Sequence, residues 1–489
     1  MIDNLKNHGK TLSQRIGAFL GPLFFILLLA SEVPAGLEKE AWFTAAIAIL
    51  MAIWWATEAM PIAVTALLPI VLFPIFGIIS IEKTAPLYAN KVIFLFLGGF
   101  IVAFAMQRWN LHRRMALKIL QYGNNNGRSL VASFMIASAL ISMWVMNTST
   151  TMMLLPIAIS IITVVRNTVT NLTEKNKEDF QYSLLLGVAY GSTIGGMATL
   201  VGTAPNVMLA AFMLENYNFN INFADWMIIG LPLSALMLPL AWVILTKWAF
   251  KVDFNISPEG KTTLQKLRVE MGSISTPEIR VAVIFSLMAS CWILRPILIN
   301  LPGLASLDDS LIAIGGAILL FIVPSGDKSD PILLRWKYAE KLPWGVLLLM
   351  GGGLALANAV YTTGLAKWIG GSLNEVSSLP LILLVFLAAT LIIFLTELTS
   401  NVATTATFLP VVGAIAIESG YDPIVLLVPV TLAASCAFML PVATPPNAIV
   451  FGSGMLNVPR MAKAGVILNI IGIFIVSIVT YKLSPILLM

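Results

Sequence analysis

Two short polar stretches, each set inside a long apolar run, carry the residues that could do chemistry. Met143 to Pro156 reads M-W-V-M-N-T-S-T-T-M-M-L-L-P, and Glu397 to Pro410 reads E-L-T-S-N-V-A-T-T-A-T-F-L-P. In register they share Asn147/Asn401, Thr150/Thr404, Thr151/Thr405, Leu155/Leu409 and Pro156/Pro410. A second pair follows: Val201-Gly202-Thr203-Ala204-Pro205-Asn206 and Val442-Ala443-Thr444-Pro445-Pro446-Asn447. Glycine and proline there interrupt a helix, leaving free carbonyls behind the break and a fresh helix N-terminus ahead of it. Hydroxyls, amides and helix-end N–H groups attract an anion without a buried cation.

Across residues 129–165, 184–214, 379–417 and 423–455 the only charged residue is Glu397, and there is no histidine. A catalytic site needs an acid, base, nucleophile or metal cluster, so these stretches do not read as an enzyme or a metal centre. They read as a cradle for a carboxylate or similar oxyanion, and two symmetric tips could each hold one end of a dicarboxylate. The candidate contacts are Asn147, Thr148, Thr203, Ser400, Asn401, Thr444 and Pro445. The plain alternative is that the two asparagines only cap short helices. Glu397 reads as an acceptor for nearby backbone donors, with a proton-coupling group as its other reading.

The elements that must position these residues lie in a membrane. Of the 489 residues 58% are hydrophobic and 11% charged, with mean hydropathy +0.91, far from a soluble composition. The net charge of +5 is spread through short loops between apolar segments, which excludes a nucleic-acid surface. Cys291 and Cys436 sit in apolar runs as packing residues. Spans of about 20 apolar residues fall near 16–30, 41–57, 61–79, 92–107, 183–214, 226–246, 280–300, 309–324, 343–362, 423–455 and 464–483. The two polar tips are expected as re-entrant hairpins within 129–165 and 379–417, because irregular backbone at membrane depth needs protein or a water-filled cavity around it; two full spans in place of each hairpin are the alternative, and the charge pattern fits both.

With the N-terminus in the cytoplasm, 23 of the 29 Lys and Arg residues fall on the cytoplasmic side and the C-terminus lies outside. Gly98/Gly352, Gly99/Gly353, Leu111/Leu365 and Asn147/Asn401 recur at one offset of 254 residues, on segments of opposite direction. That is an inverted repeat, the plan of secondary transporters. The expected fold is an all-α polytopic membrane protein with about eleven transmembrane helices and two hairpins. Its parts are first-half scaffold helices (1–128), a first hairpin and broken helix (129–246), a cytoplasmic linker (247–279), second-half scaffold helices (280–378), and a second hairpin, broken helix and last helix (379–489).

The paired Asn-Thr and Ser-Asn tips, the G-T-A-P-N and A-T-P-P-N breaks, Trp55-Ala56-Thr57-Glu58-Ala59-Met60-Pro61 and Phe94-Leu95-Phe96-Leu97-Gly98-Gly99 together resemble the divalent anion/sodium symporter (DASS) family, which includes the INDY transporters. The resemblance covers nearly the whole chain. It implies a homodimer in the cell membrane, an elevator motion of a transport part against a scaffold, and di- or tricarboxylates bound between two Ser-Asn-Thr tips. Two positions depart from the pattern: Met146 stands where sodium-coupled members carry Ser, and Val402 where they carry Thr. Sodium prefers oxygen ligands and a thioether is soft. The sequence therefore leads us to expect a sodium-independent dicarboxylate exchanger, with a sodium-coupled symporter as the alternative and an anion channel as the reading from another class.

Overall fold

The computed structural model describes residues 11–123, 126–169, 172–255, 258–328, 330–372 and 379–488, without the side chains of 258–261, 263 and 264. It is helical throughout except for one antiparallel pair, β1 (Pro324–Asp327) with β2 (Asp330–Ile332).

The first half opens with α1 (Leu12–Ala30), started by a Thr11–Gln14 capping box, and α2 (Lys39–Thr57). The apolar run 61–79, expected as one span, is two short helices, α3 (Ile62–Thr65) and α4 (Leu68–Ile75). The cause is local. Ile70 N–H bonds back to Leu67 and not to Ala66, and the freed Ala66 carbonyl accepts from the Tyr88 hydroxyl at 2.5 Å. Gly352 presses on the same carbonyl so closely that a Cβ there would lie 2.2 Å from it. After α5 (Ile81–Thr84) come α6 (Lys91–Arg108) and the short α7 (Leu111–Leu120), reached through Asn110 in the left-handed region at φ 57°. Gly98 of α6 presses on the backbone of Ala313 as Gly352 presses on Ala66, so the repeat seen in sequence is a repeat of close helix crossings.

The first hairpin is α8 (Gly127–Ser142) and α9 (Asn147–Thr168), followed by α10 (Glu174–Met197), a break, α11 (Ala204–Tyr217) and α12 (Phe223–Val243). The expected linker carries a helix of its own, α13 (Pro258–Glu270), which packs on α7 and α9. Arg114 anchors its far end: its guanidinium donates to Glu278 at 2.9 and 3.0 Å and to the Gly272 and Ser273 carbonyls. The second half runs α14 (Thr276–Leu298), α15 (Asp309–Ile322), the β pair, α16 (Trp336–Ala339), α17 (Trp344–Thr362) and α18 (Leu365–Ser372). Its hairpin is α19 (Leu381–Thr396) and α20 (Asn401–Glu418), then α21 (Ile424–Ala434), a break, α22 (Pro445–Phe451) and α23 (Val458–Leu483).

Nine helices among the described residues are long and apolar enough to cross a membrane. The first limbs of both hairpins have 16 residues each, about 24 Å of helix against a hydrocarbon core of about 30 Å, which suits limbs that enter and turn back. The second limbs have 22 and 18 residues and are longer than a hairpin requires.

The halves interlock crosswise. The helix after each break packs on the second limb of the other half's hairpin, α11 on α20 and α22 on α9. Trp55 and Trp226 are core residues, and Trp226 Nε1 donates to the Met197 carbonyl at 3.0 Å. His112 lies buried on α7 with Nδ1 3.1 Å from the Met106 carbonyl.

The first turn of α12 is held by α15 and α14. The Asp309 carboxylate accepts from Phe223 N–H at 2.7 Å, and Arg295 donates to Asn222. Asp309→Ala leaves that buried N–H unpaired and is expected to lower stability by about 2 kcal/mol. Asp309→Asn keeps an acceptor and should lose less; equal melting losses in detergent for the two variants would remove the Asp309–Phe223 bond from the account.

Candidate functional site: two hairpin tips and two helix breaks

The first tip turns at Met143–Met146, and α9 begins at Asn147 with Met146 as its cap residue. Asn147 is therefore the first helical residue and not the cap. Its Oδ1 accepts from the Ser142 hydroxyl at 2.5 Å, and its amide lies over Gly196 of α10. One turn on, the Thr151 hydroxyl donates to Ser192 at 3.0 Å, and the Thr199 hydroxyl reaches the Met143 carbonyl at 2.5 Å. The tip is thus built onto α10 and the break that follows it. On its other side Trp144 packs against Phe223 and Phe285 with centroids 5.7 and 5.0 Å away, and Phe223 stacks on Trp292 at 4.8 Å.

Gly196 has no room for a side chain: a Cβ would lie 2.6 Å from Asn147 Oδ1. Gly196→Ala is expected to displace the Asn147 amide and cut transport by about tenfold or more, the size of one lost polar contact. Gly315→Ala, where a methyl meets nothing within 4 Å, is the control. Equal rates in the two variants would separate Asn147 from transport.

The second tip repeats the plan with one change. Ser400 is the cap residue of α20 and Asn401 its first helical residue, with Oδ1 accepting Val402 N–H at 2.9 Å. Among the described residues neither Asn147 nor Asn401 has an intramolecular acceptor for its Nδ2 hydrogens, so each tip offers a free two-proton donor beside a helix N-terminus. Where the first tip has Met143, the second has Glu397, buried, with its carboxylate accepting from Phe438, Met439 and Leu440 N–H at 2.8–2.9 Å and from Asn469 Nδ2 at 2.6 Å. Glu397 makes the bonds of the structural reading, tying the second tip to the second break.

Both breaks put a threonine in extended conformation at the cap of the next helix, Thr203 at φ −146° and Thr444 at φ −140°. The Thr444 hydroxyl accepts Asn447 N–H at 3.3 Å; Thr203 makes no such bond. Ser400, Asn401, Val402, Ala443, Thr444 and Pro445 line one cleft of about 990 Å³, together with Thr57 and Glu58 from the end of α2 and Thr11 and Gln14 at the start of α1. Asn147, Thr148 and Thr203 are not among the residues lining it, so the cleft reaches four of the seven expected contacts. Glu58, in the left-handed region at φ 49°, is a cleft residue absent from the seven expected contacts. The Trp-Ala-Thr-Glu-Ala-Met-Pro motif was the available signal. The structure also adds buried oxygens with no partner, Ser138 Oγ, Thr150 Oγ1 and Asn206 Oδ1 in the first half and Ser435 Oγ and Asn447 Oδ1 in the second.

Comparison with known proteins decides the family. The model of the sodium:sulfate symporter transmembrane region matches residues 14–489. The chain belongs to this symporter family. Among curated relatives, the sodium-dependent dicarboxylate transporter SdcS of Staphylococcus aureus (strain USA300) is 41% identical over 478 residues, 97% of this chain and 92% of that one. SdcS of Staphylococcus saprophyticus is 39% identical over 484 residues, 98% and 93% of the two chains. Among solved structures, the YdaH transporter of Alcanivorax borkumensis aligns over 96% of both chains with a TM-score of 0.54 at 13% identity, a likeness of fold. The symporter family accounts for the resemblance carried by the tips and breaks, and its members are membrane transporters.

Proposed function

We propose that this chain is a sodium-coupled transporter of dicarboxylates in the cell membrane, with substrate held between the Asn147 and Asn401 tips and Thr203, Thr444 and Pro445 beside it. The observation that carries the reading is the pair of tip amides, each with Oδ1 engaged within its own hairpin and Nδ2 free to donate to an anion. Thr148 and Ser400, next to them, supply hydroxyls. Relatives 39–41% identical over nearly the full chain are named sodium-dependent dicarboxylate transporters, which favours coupling to sodium over the sodium-independent exchange expected from Met146 and Val402. Buried oxygens without partners stand in each half, Ser138 and Thr150 in one and Ser435 in the other, and a hard cation takes oxygen ligands. A thioether at Met146 then costs one ligand and not the site.

Alternating access in this reading moves residues 129–246 and 379–489 as a transport part against a scaffold of 1–128 and 280–378, in a homodimer with the N-terminus cytoplasmic and the C-terminus outside. Exchange is the second reading, and the Met146 and Val402 substitutions are its support. The test is uptake of labelled succinate into proteoliposomes, empty or preloaded, with sodium or choline outside. Uptake into empty vesicles that needs sodium is expected. Uptake that needs internal dicarboxylate and ignores sodium would make the chain an exchanger; unsaturable flux without trans-stimulation would make it a channel.

A further inference from the structure

Asn206 and Asn447 end the two break motifs, and each uses its side chain in the same way. Asn206 Nδ2 donates to the carbonyls of Gly196 and Thr199 at 3.3 and 2.8 Å; Asn447 Nδ2 donates to those of Ala437 and Leu440 at 3.2 and 3.1 Å. The partners stand ten and seven residues earlier in both cases. Here the repeat offset is 241 residues, where the tips keep 254, so this bonding pattern survives a change in spacing between the halves. Both side chains are wholly buried and neither lines the cleft.

Each amide closes a loop, 199–206 in the first half and 440–447 in the second. The first loop contains Thr203, and the second contains Val442, Ala443, Thr444 and Pro445, all four in the cleft wall. Carbonyls freed by a helix break must find donors when water is absent. One amide with two hydrogens meets that need at the leading side of the loop, where Gly202 and Ala443 N–H also turn back to the Thr199 and Leu440 carbonyls, and so ties the loop's far end to its start. Both asparagines also leave Oδ1 buried and unpaired. An unpaired buried acceptor costs stability, so the side chain is oriented by its two donors and not by packing of the whole amide.

We propose that Asn206 and Asn447 are paired positioning residues, each clipping its broken-helix loop into the shape that presents Thr203 or Thr444–Pro445 to substrate. This rests on the transporter reading above. Neither touches substrate; each acts through two backbone carbonyls.

Alanine and serine separate this role from packing. Both lose nearly the same volume, but Asn→Ala loses both donors and Asn→Ser keeps one. In proteoliposomes with labelled succinate and saturating sodium, N206A and N447A are expected to raise KM by about tenfold or more, N206S and N447S by less, with Vmax of the folded protein within about threefold of wild type. Packing alone predicts equal losses, since alanine and serine leave cavities of nearly the same size, and equal losses would overturn the proposal, as would unchanged KM. A readout independent of transport is maleimide labelling at V442C, an exposed position of the cleft wall, with Cys291 and Cys436 replaced. N447A should change that labelling rate by about threefold or more while N206A leaves it alone; equal rates in all three backgrounds would remove the clip. If wild type takes up no dicarboxylate the transporter reading fails, and the labelling result still decides whether Asn447 shapes its loop. Should an alanine variant fail to fold, the serine variant carries the same labelling comparison.

Discussion

Asn147→Ala and Asn401→Ala are each expected to lower dicarboxylate uptake by about 100-fold or more while the protein remains folded. The magnitude follows from what each amide does. A hydrogen bond to a charged partner in a site shielded from water contributes about 1.5–3 kcal/mol, and a factor of ten corresponds to about 1.4 kcal/mol. Among the described residues each Nδ2 has two hydrogens and no acceptor, so removing the amide takes away donors free for the ligand and leaves no buried carbonyl unpaired. Only the Ser142 hydroxyl loses its acceptor at the first tip, and at the second only Val402 N–H does. Stability should therefore change little. Asn147→Asp is the sharper variant: it keeps size and the Ser142 bond but puts a carboxylate in place of the donor, so it should reject a dianion at least as strongly as alanine does. The check is KM and Vmax for succinate, with thermal melting to confirm the fold. Wild-type rates in both alanine variants would end the paired-site reading.

Much of this site was legible in the sequence because its signals are polar residues in apolar runs. Asn147, Asn401, Thr203 and Thr444 stand out by contrast with their neighbours, and the helices start or stop at them as glycine, proline and the tip residues dictate. What the sequence hid has a different origin. The split of 61–79 into α3 and α4 goes with a Tyr88 hydroxyl that takes the Ala66 carbonyl and with Gly352 packed against it, contacts from outside the run. Trp226 looked like an interface residue because tryptophan tolerates both water and hydrocarbon, and only tertiary packing shows it buried against Met197. Gly98 and Gly352 were visible as a repeat, but that each admits a neighbouring backbone within van der Waals contact was not. The four site residues of the second half share a cleft with Glu58 and the start of α1, an association no spacing rule contains. Asn206 and Asn447 were legible as the ends of the two break motifs, but the bonds from each amide to carbonyls seven and ten residues back were not.

Glu397→Ala is expected to destabilise the folded protein by about 3–5 kcal/mol, the range for removing one member of a buried charged network. The carboxylate serves three consecutive backbone N–H groups, Phe438, Met439 and Leu440, and the Asn469 amide of α23. Those N–H groups belong to the irregular stretch after α21, where no helical carbonyl can accept from them, so the second break exists in this form because Glu397 supplies the acceptor. The first half needs no such charge: its tip has Met143 there, and the Thr199 hydroxyl bonds the Met143 carbonyl instead. Glu397→Gln discriminates between the two roles open to this residue. Glutamine keeps one carbonyl oxygen and turns an NH2 group toward a backbone donor, so it should recover part of the stability but not all of it. If Glu397 instead coupled protons, Glu397→Gln would fold with full stability and flatten the pH dependence of transport. A melting temperature equal to wild type in Glu397→Ala would show that the second break holds its shape without the carboxylate.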